Sequence, residues 1–249
     1  MFIMGLAKKM KGNAMADTRD IVIIGAGPGG YIAALRGAQL HKKITLIEED
    51  RVGGTCMNYG CIPSKYLLHQ TEMFREIKTA KTLEGPVGQI SMNWAAVQEN
   101  RRAVVDRLVN GIVFLLERGK VEIVKGTAGL GPGRTVFVKT PEGEKSFAAD
   151  AVILATGSRA AGLPFLGPDG KTVVTSTEAL EFPDIPKSLL VIGAGAIGLE
   201  MGSIYQRLGT DVTVLEIMPT ILPGSDREAA SRLERTLKKQ GLKILTQMR

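Results

Sequence analysis

Thiol and imidazole groups are scarce in this chain, which has two cysteines and two histidines among 249 residues. So few thiols exclude a disulfide scaffold. A cytosol keeps thiols reduced, so a bond between these two, if it forms, is expected to be catalytic rather than structural. A structural zinc wants four ligands, and His41 and His69 show no ligand-like spacing with the cysteines, so no metal site is expected. Both histidines read as surface or partly buried residues without a special role. Long apolar runs are also missing: none approaches the ~18 residues of a membrane span. Aromatic residues make up only 5%, and the basic residues behind the formal charge of +7 are dispersed. That balance describes a solvated basic surface and not a nucleic-acid binder. The opening "MFIMGLAKKMKGNA" sets its apolar residues before its lysines, the reverse of a secretory signal. A further methionine, Met15, begins "MADTRD" like an ordinary start, and residues 1–19 are expected to form a disordered tail.

Glycine, by contrast, is abundant and patterned. In "DIVIIGAGPGGYIAALRGAQLHKKITLIEED" an apolar run at 21–24 leads into a glycine-rich turn, an alanine-rich helical stretch and a second apolar run at 44–47. Gly25, Gly27 and Gly30 stand as GxGxxG between strand and helix. In such a loop the first glycine permits the tight turn and the second lets the backbone approach a pyrophosphate. The third allows close helix packing, and the helix N-terminus meets the phosphates. Glu48 lies 23 residues beyond Gly25, where a carboxylate can accept bonds from a ribose diol. The pattern returns in "SLLVIGAGAIGLEMGSIYQRLGTDVTVLEI" with Gly193, Gly195, Gly198 and, again 23 residues on, Glu216. A carboxylate at Glu216 repels a 2′-phosphate, and Ile217 and Met218 offer no arginine to bind one, so NAD is expected in preference to NADP.

The chain is therefore expected to be α/β, with two Rossmann-like dinucleotide-binding domains. A helix around 94–118 and a small antiparallel meander drawn from "VEIVKGTAGL", "RTVFVKT" and "KSFAAD" lie between the two copies. The strand "AVILATGS" follows, and a linker rich in Gly, Pro and Asp holds the boundary. The expected segments are 20–162 for the first dinucleotide and 163–249 for the second.

Both cysteines sit in "GGTCMNYGCIPSK". A spacing of five residues fits a redox pair, half of a metal site or two unrelated core thiols. In a regular helix it separates the residues by about 7.5 Å along the axis, too far for a bridge, so a bond between Cys56 and Cys61 requires broken backbone. Gly60 and Pro63 are able to break it.

These residues together resemble the pyridine nucleotide-disulfide oxidoreductases. The shared features are the first glycine fingerprint, the thiol segment, "ILATGS" and "GAGAIGLE", in the family's order from about residue 20 to 249. The "CIPSK" ending is most similar to the dihydrolipoamide dehydrogenase branch, with mercuric reductase as an alternative and an idle nucleotide-binding module as an alternative of another class.

The resemblance implies FAD at Gly25, Gly27, Gly30, Glu48, Gly54, Thr55, Lys65, Ala128, Thr156, Gly157 and Ser158. It implies NAD at Gly193, Gly195, Gly198 and Glu216. It also implies a Cys56–Cys61 redox disulfide, with Cys56 meeting the dithiol substrate, Cys61 against the flavin, and Lys65 near the flavin's reactive edge paired with Glu200. A desolvated lysine needs such a counter-charge. Lipoyl-bearing protein domains of 2-oxo acid dehydrogenase or glycine cleavage complexes are the implied partners. A homodimer, a cytoplasmic or mitochondrial-matrix location, and no nucleic acid or membrane complete the expectation. The family continues well past the point where this chain stops, through the aspartate that holds the flavin's ribityl chain and the histidine and glutamate that serve the partner subunit's thiols. The chain alone is thus expected to be a fragment of little or no activity.

Overall fold

The computed structural model describes residues 17–82 and 90–248. Contacts divide the chain into two compact units, one running to Arg51 and resuming over Leu115–Thr156, the other made of Val52–Phe114 and the residues from Gly157 onward.

The first unit contains β1 (Asp17–Ile24), α1 (Pro28–Gln39), β2 (Ile44–Glu48), β3 (Glu122–Lys125), β4 (Thr127–Leu130), β5 (Thr135–Thr140) and β6 (Gly143–Leu154). Their order in the sheet is β3-β2-β1-β6-β5-β4. Runs of β-branched residues on β1 and β2 pair in parallel from Ile21 with Ile44 to Ile24 with Ile47, and Val22, Ile23, Leu46 and Ile47 are fully enclosed.

Three local readings change. Most of the expected tail lies outside the described residues, but residues 17–19 are strand. Arg19 is the reason: it is buried, donates to Thr45 Oγ1 at 2.7 Å and to Glu122 Oε2 at 2.6 Å, and lies 5.3 Å from the centre of the Phe147 ring. A buried guanidinium needs these partners, and they hold the strand's first residues in the sheet. Next, the "VEIVK" run does not join the antiparallel meander; it pairs in parallel with β2, from Thr45 with Glu122 to Glu48 with Lys125. Only Gly126 separates it from β4, so the two edge strands of the sheet are consecutive in the chain. A Cβ on Gly126 would stand 2.4 Å from the Lys139 carbonyl oxygen, which explains the glycine at this passage. Finally, "KSFAAD" and "AVIL" form one strand, β6, antiparallel to β5 over 143–148 and parallel to β1 over 147–154.

The second unit contains α2 (Gly54–Tyr59), α3 (Cys61–Thr79), most of α4 (Trp94–Arg118), α5 (Ser176–Ala179), β7 (Ser188–Ile192), α6 (Ala196–Arg207), β8 (Asp211–Leu215), α7 (Arg227–Lys239) and β9 (Lys243–Leu245). The strands form a parallel sheet in the order β7-β8-β9. Val212, Val214 and Ile244 share one core with Leu199, Ile204 and Tyr205 of α6 and Leu67 of α3. Part of the expected linker is firmly held. Tyr205 donates its hydroxyl to the Ala179 carbonyl, Gln98 its amide to Leu180 O at 3.0 Å, and Trp94 its indole N–H to Phe182 O at 2.9 Å. Arg101, 2% exposed, reaches Glu181 at 2.8 Å. Side chains from α4 and α6 thus satisfy the carbonyls of a segment that has no sheet partner.

No helix among the described residues is long and apolar enough to cross a membrane.

Candidate functional site

The two glycine loops are built alike down to individual hydrogen bonds. Gly25 has φ +99°, and a Cβ there would stand 2.2 Å from the Ala155 carbonyl oxygen; Gly193 has φ +102°. Both turns use the left-handed region that glycine alone enters freely. A Cβ on Gly30 would come within 1.8 Å of Gly25 O, and one on Gly198 within 2.0 Å of Gly193 O, so the third glycine brings the helix down onto its own turn. Gly27 and Gly195 are the N-caps of α1 and α6, and neither supplies a side-chain cap. Those helix ends therefore present backbone N–H groups and a positive dipole without a protein anion in the first turn.

The carboxylates repeat the match. Glu48 accepts from Ala26 N at 2.7 Å and Asp50 N at 2.8 Å. Glu216 accepts from Ala194 N at 2.8 Å and Met218 N at 2.8 Å, and is only 6% exposed. Each glutamate thus ties the middle of its glycine loop to the chain just past its own strand. Such charge-assisted bonds are what permit a buried carboxylate. With about four acceptor positions on a carboxylate, each retains capacity for a ribose diol. The loops' bare N–H groups, the close backbone approach and the free acceptor capacity fit dinucleotides at both places. The alanine N–H partners were not foreseen; the repeated G-A-G, with glutamate 23 residues on, is the signal that carries them.

The remaining positions of the first set divide between the units. Ala155 N bonds Ile24 O at 2.8 Å, which sets Thr156 beside the Gly25 turn. Ala128 lies on β4, packed against the cluster that includes Val22 and Ile47. Gly157, with φ +68°, and Ser158 are exposed and belong to the second unit, as do Gly54 and Thr55.

Cys56 and Cys61 are joined as a disulfide with Cα atoms 4.7 Å apart. The broken backbone is supplied by Gly60, at φ −144° and ψ −113° between α2 and α3. A Cβ on Gly60 would stand 2.9 Å from Thr55 O and 3.3 Å from the Cys56 Cα, so the cysteines close up because this position lacks a side chain. Pro63 contributes no break: it occupies the first turn of α3, where no intrahelical bond is lost. Cys61 is the first residue of α3 and is exposed; Cys56 is half-buried.

Lys65, one turn into α3, donates to both oxygens of Glu200 on α6, at 2.8 and 3.0 Å. The pairing is present, with the lysine side chain 60% exposed and the glutamate 27% in this chain. Seven residues further along each helix, Arg207 meets Glu72 at 2.7 Å and also donates to Leu68 O at 3.3 Å. Two pairs with the same seven-residue step require α3 and α6 to run in the same direction. Arg75 also donates to Glu72, and this bond holds the Glu72 carboxyl below its ordinary value against burial, with the Arg207 charge adding to it. Burial in turn lowers Arg207. Cys61 and the second glycine loop thus belong to the N-terminal ends of two parallel, ion-paired helices.

A family model described as pyridine nucleotide-disulphide oxidoreductase matches residues 19–249, and the chain belongs to that family. It is 42% identical over 234 residues to a dihydrolipoyl dehydrogenase of Zymomonas mobilis, covering 94% of this chain and 50% of that protein. It is 45% identical over 231 residues to one from Thermus scotoductus, covering 92% and 49%. Among solved structures, LpdA from Mycobacterium tuberculosis matches with a TM-score of 0.83 at 27% identity, covering 94% of this chain and 52% of that one. The HOCl-induced flavoprotein disulfide reductase RclA from Escherichia coli matches with a TM-score of 0.77 at 26% identity, covering 92% and 49%. The chain spans about half the length of the curated relatives it matches. Membership implies FAD and NAD as cofactors.

Proposed function

We propose that this chain carries the disulfide and dinucleotide half of an NAD-dependent dihydrolipoamide oxidoreductase. The observation that supports this most is the Cys56–Cys61 bridge at the start of a helix that Lys65 and Glu200 pair with the helix of the second glycine loop. In this reading residues 20–162 serve FAD and residues 163–249 serve NAD. The division is one of cofactor and not of packing.

A dihydrolipoamide thiolate attacks the Cys56 sulfur. A bond forms between those two sulfurs, the Cys56–Cys61 bond breaks, and Cys61 leaves as a thiolate at the positive end of α3. The substrate's second thiol then attacks its own first sulfur, releasing lipoamide and leaving both cysteines reduced by two electrons. FAD, when bound, supplies the two-electron link between the thiols and the nicotinamide. Lys65 places a cation one turn from Cys61, and Glu200 fixes where it points. Glu216 holds the ribose of NAD and disfavours a 2′-phosphate. Gly25, Gly27, Gly30, Glu48, Gly54, Thr55, Ala128, Thr156, Gly157 and Ser158 bind FAD. Lipoyl-bearing domains of 2-oxo acid dehydrogenase or glycine cleavage complexes are the substrates' carriers, the assembly is a homodimer, and the location is the cytoplasm or the mitochondrial matrix.

The test is optical. The full-length protein with FAD bound is reduced anaerobically by two electrons; a long-wavelength charge-transfer band that disappears in Cys61→Ser supports the reading. A band that is absent, or that survives the substitution, contradicts it.

A further inference from the structure

Asn58 lies between the two cysteines, is 3% exposed, and makes its contacts inside the thiol segment. Its Nδ2 donates to Val52 O at 3.1 Å and to Gly54 O at 3.0 Å. These carbonyls flank a turn in which Gly53 and Gly54 both take left-handed conformations, with φ +98° and +56°. The turn leads into α2, whose six residues are too few to be stable alone. Its position therefore depends on side-chain ties, and the Asn58 amide ties it at two carbonyls. The opposite side of the same amide is not satisfied: Oδ1 is buried without a hydrogen-bond partner among the described residues. A buried unpaired acceptor is unfavourable, and a leucine, with the same branched arrangement of side-chain heavy atoms, would remove it. Packing alone thus argues for an apolar residue at this position; the donor side is what argues for asparagine.

We propose that Asn58 is a positioning residue for the thiol pair, and the proposal rests on the redox reading given above. By fixing the Gly53–Gly54 turn against α2, it holds Cys56 at bridging distance from Cys61 across the Gly60 break, whether or not the bond exists. Holding the reduced thiols together raises the effective concentration of one toward the other, and this favours the bridge over the dithiol. The exchange that reads this out is balanced: the bridge and two glutathione thiols give two cysteine thiols and glutathione disulfide, with two electrons and two protons passing to the cysteines.

The 249-residue chain is equilibrated at neutral pH in buffers of varied glutathione ratio, alkylated, and weighed by mass spectrometry to count thiols. Asn58→Ala and Asn58→Leu are expected to shift the equilibrium toward the dithiol by about threefold to tenfold, the range that follows from losing one to two side-chain hydrogen bonds. The alanine and leucine variants together separate positioning from packing, since alanine leaves space and leucine fills it with the same branched outline, while both remove the amide's two donor bonds and its orphan acceptor. Thr71→Ala is the control: it loses a buried bond from Thr71 Oγ1 to Leu67 O at 2.9 Å on the same α3, away from the turn. It is expected to lower the melting temperature and leave the glutathione equilibrium within twofold of wild type. Asn58 variants that also stay within twofold, or a Thr71→Ala shift as large as theirs, would overturn the proposal. A wild-type chain that forms no bridge at any buffer ratio contradicts the redox reading itself, and the inference falls with it.

Discussion

Lys65 and Glu200, 135 residues apart in the sequence, share two hydrogen bonds, at 2.8 and 3.0 Å. Two helical turns along, Glu72 and Arg207 repeat the contact with the charges exchanged. The first pair is open to solvent, while the arginine of the second is largely buried. The two are therefore expected to differ in what they do. Exposed pairs contribute little to stability, whereas Arg207 is buried and joins Glu72 and the Leu68 carbonyl, so removing it loses packed side chain and two charge-assisted bonds while Glu72 keeps Arg75.

Glu200→Gln should change the unfolding free energy by less than ~1 kcal/mol, and Arg207→Ala should lower it by about 2 kcal/mol. Chemical denaturation of the two variants checks the contrast. Equal losses would mean that the Lys65 pair is chiefly a stabilising contact and not a functional one.

The glycines of the second loop separate into structural and binding positions. Gly198→Ala should disrupt the fold by several kcal/mol, on the order of 3–4, because its Cβ would meet Gly193 O at 2.0 Å. Gly195→Ala meets nothing within 4 Å and has φ −75°, so its melting temperature should stay near wild type. Its affinity for NADH, read by fluorescence titration, should fall tenfold or more if a pyrophosphate lies against that backbone. Unchanged NADH affinity would remove the second loop from the proposed site.

Much of this site was legible because its signals are local. A glycine triplet between strand and helix, a carboxylate at a fixed distance and a glycine between two close cysteines each follow from a short stretch of chain. The rest depends on contacts made far along the sequence. Arg19 reads as part of a polar tail until Thr45 and Glu122 arrive beside it. The 179–182 segment reads as linker because the side chains that bind its carbonyls, Trp94, Gln98 and Tyr205, stand on distant helices. Lys65 could be paired with Glu200 by resemblance, but the matching step to Glu72 and Arg207 appears only once α3 and α6 lie side by side.

Acid should loosen this helix pair. The Glu72 carboxyl is held below its ordinary value of 4.5, first by the hydrogen bond from Arg75. A group depressed in the folded state contributes stability above its unfolded pKa and loses it as pH falls through the folded one. The Glu72 contribution is thus complete near neutrality and declines below about pH 4.5. Thermal melts from pH 7 to 3.5 should fall less steeply for Glu72→Gln than for wild type. Identical slopes would show that the pair adds nothing.

The most direct measurement is a thiol count on the 249-residue chain before and after anaerobic exposure to dihydrolipoamide. Alkylation and peptide mass spectrometry should find Cys56 and Cys61 blocked in the untreated chain. After treatment both should be labelled, with one lipoamide formed per chain and no lipoamide from Cys56→Ser. Free thiols in the untreated chain, or a bridge that dihydrolipoamide leaves intact, would contradict the account.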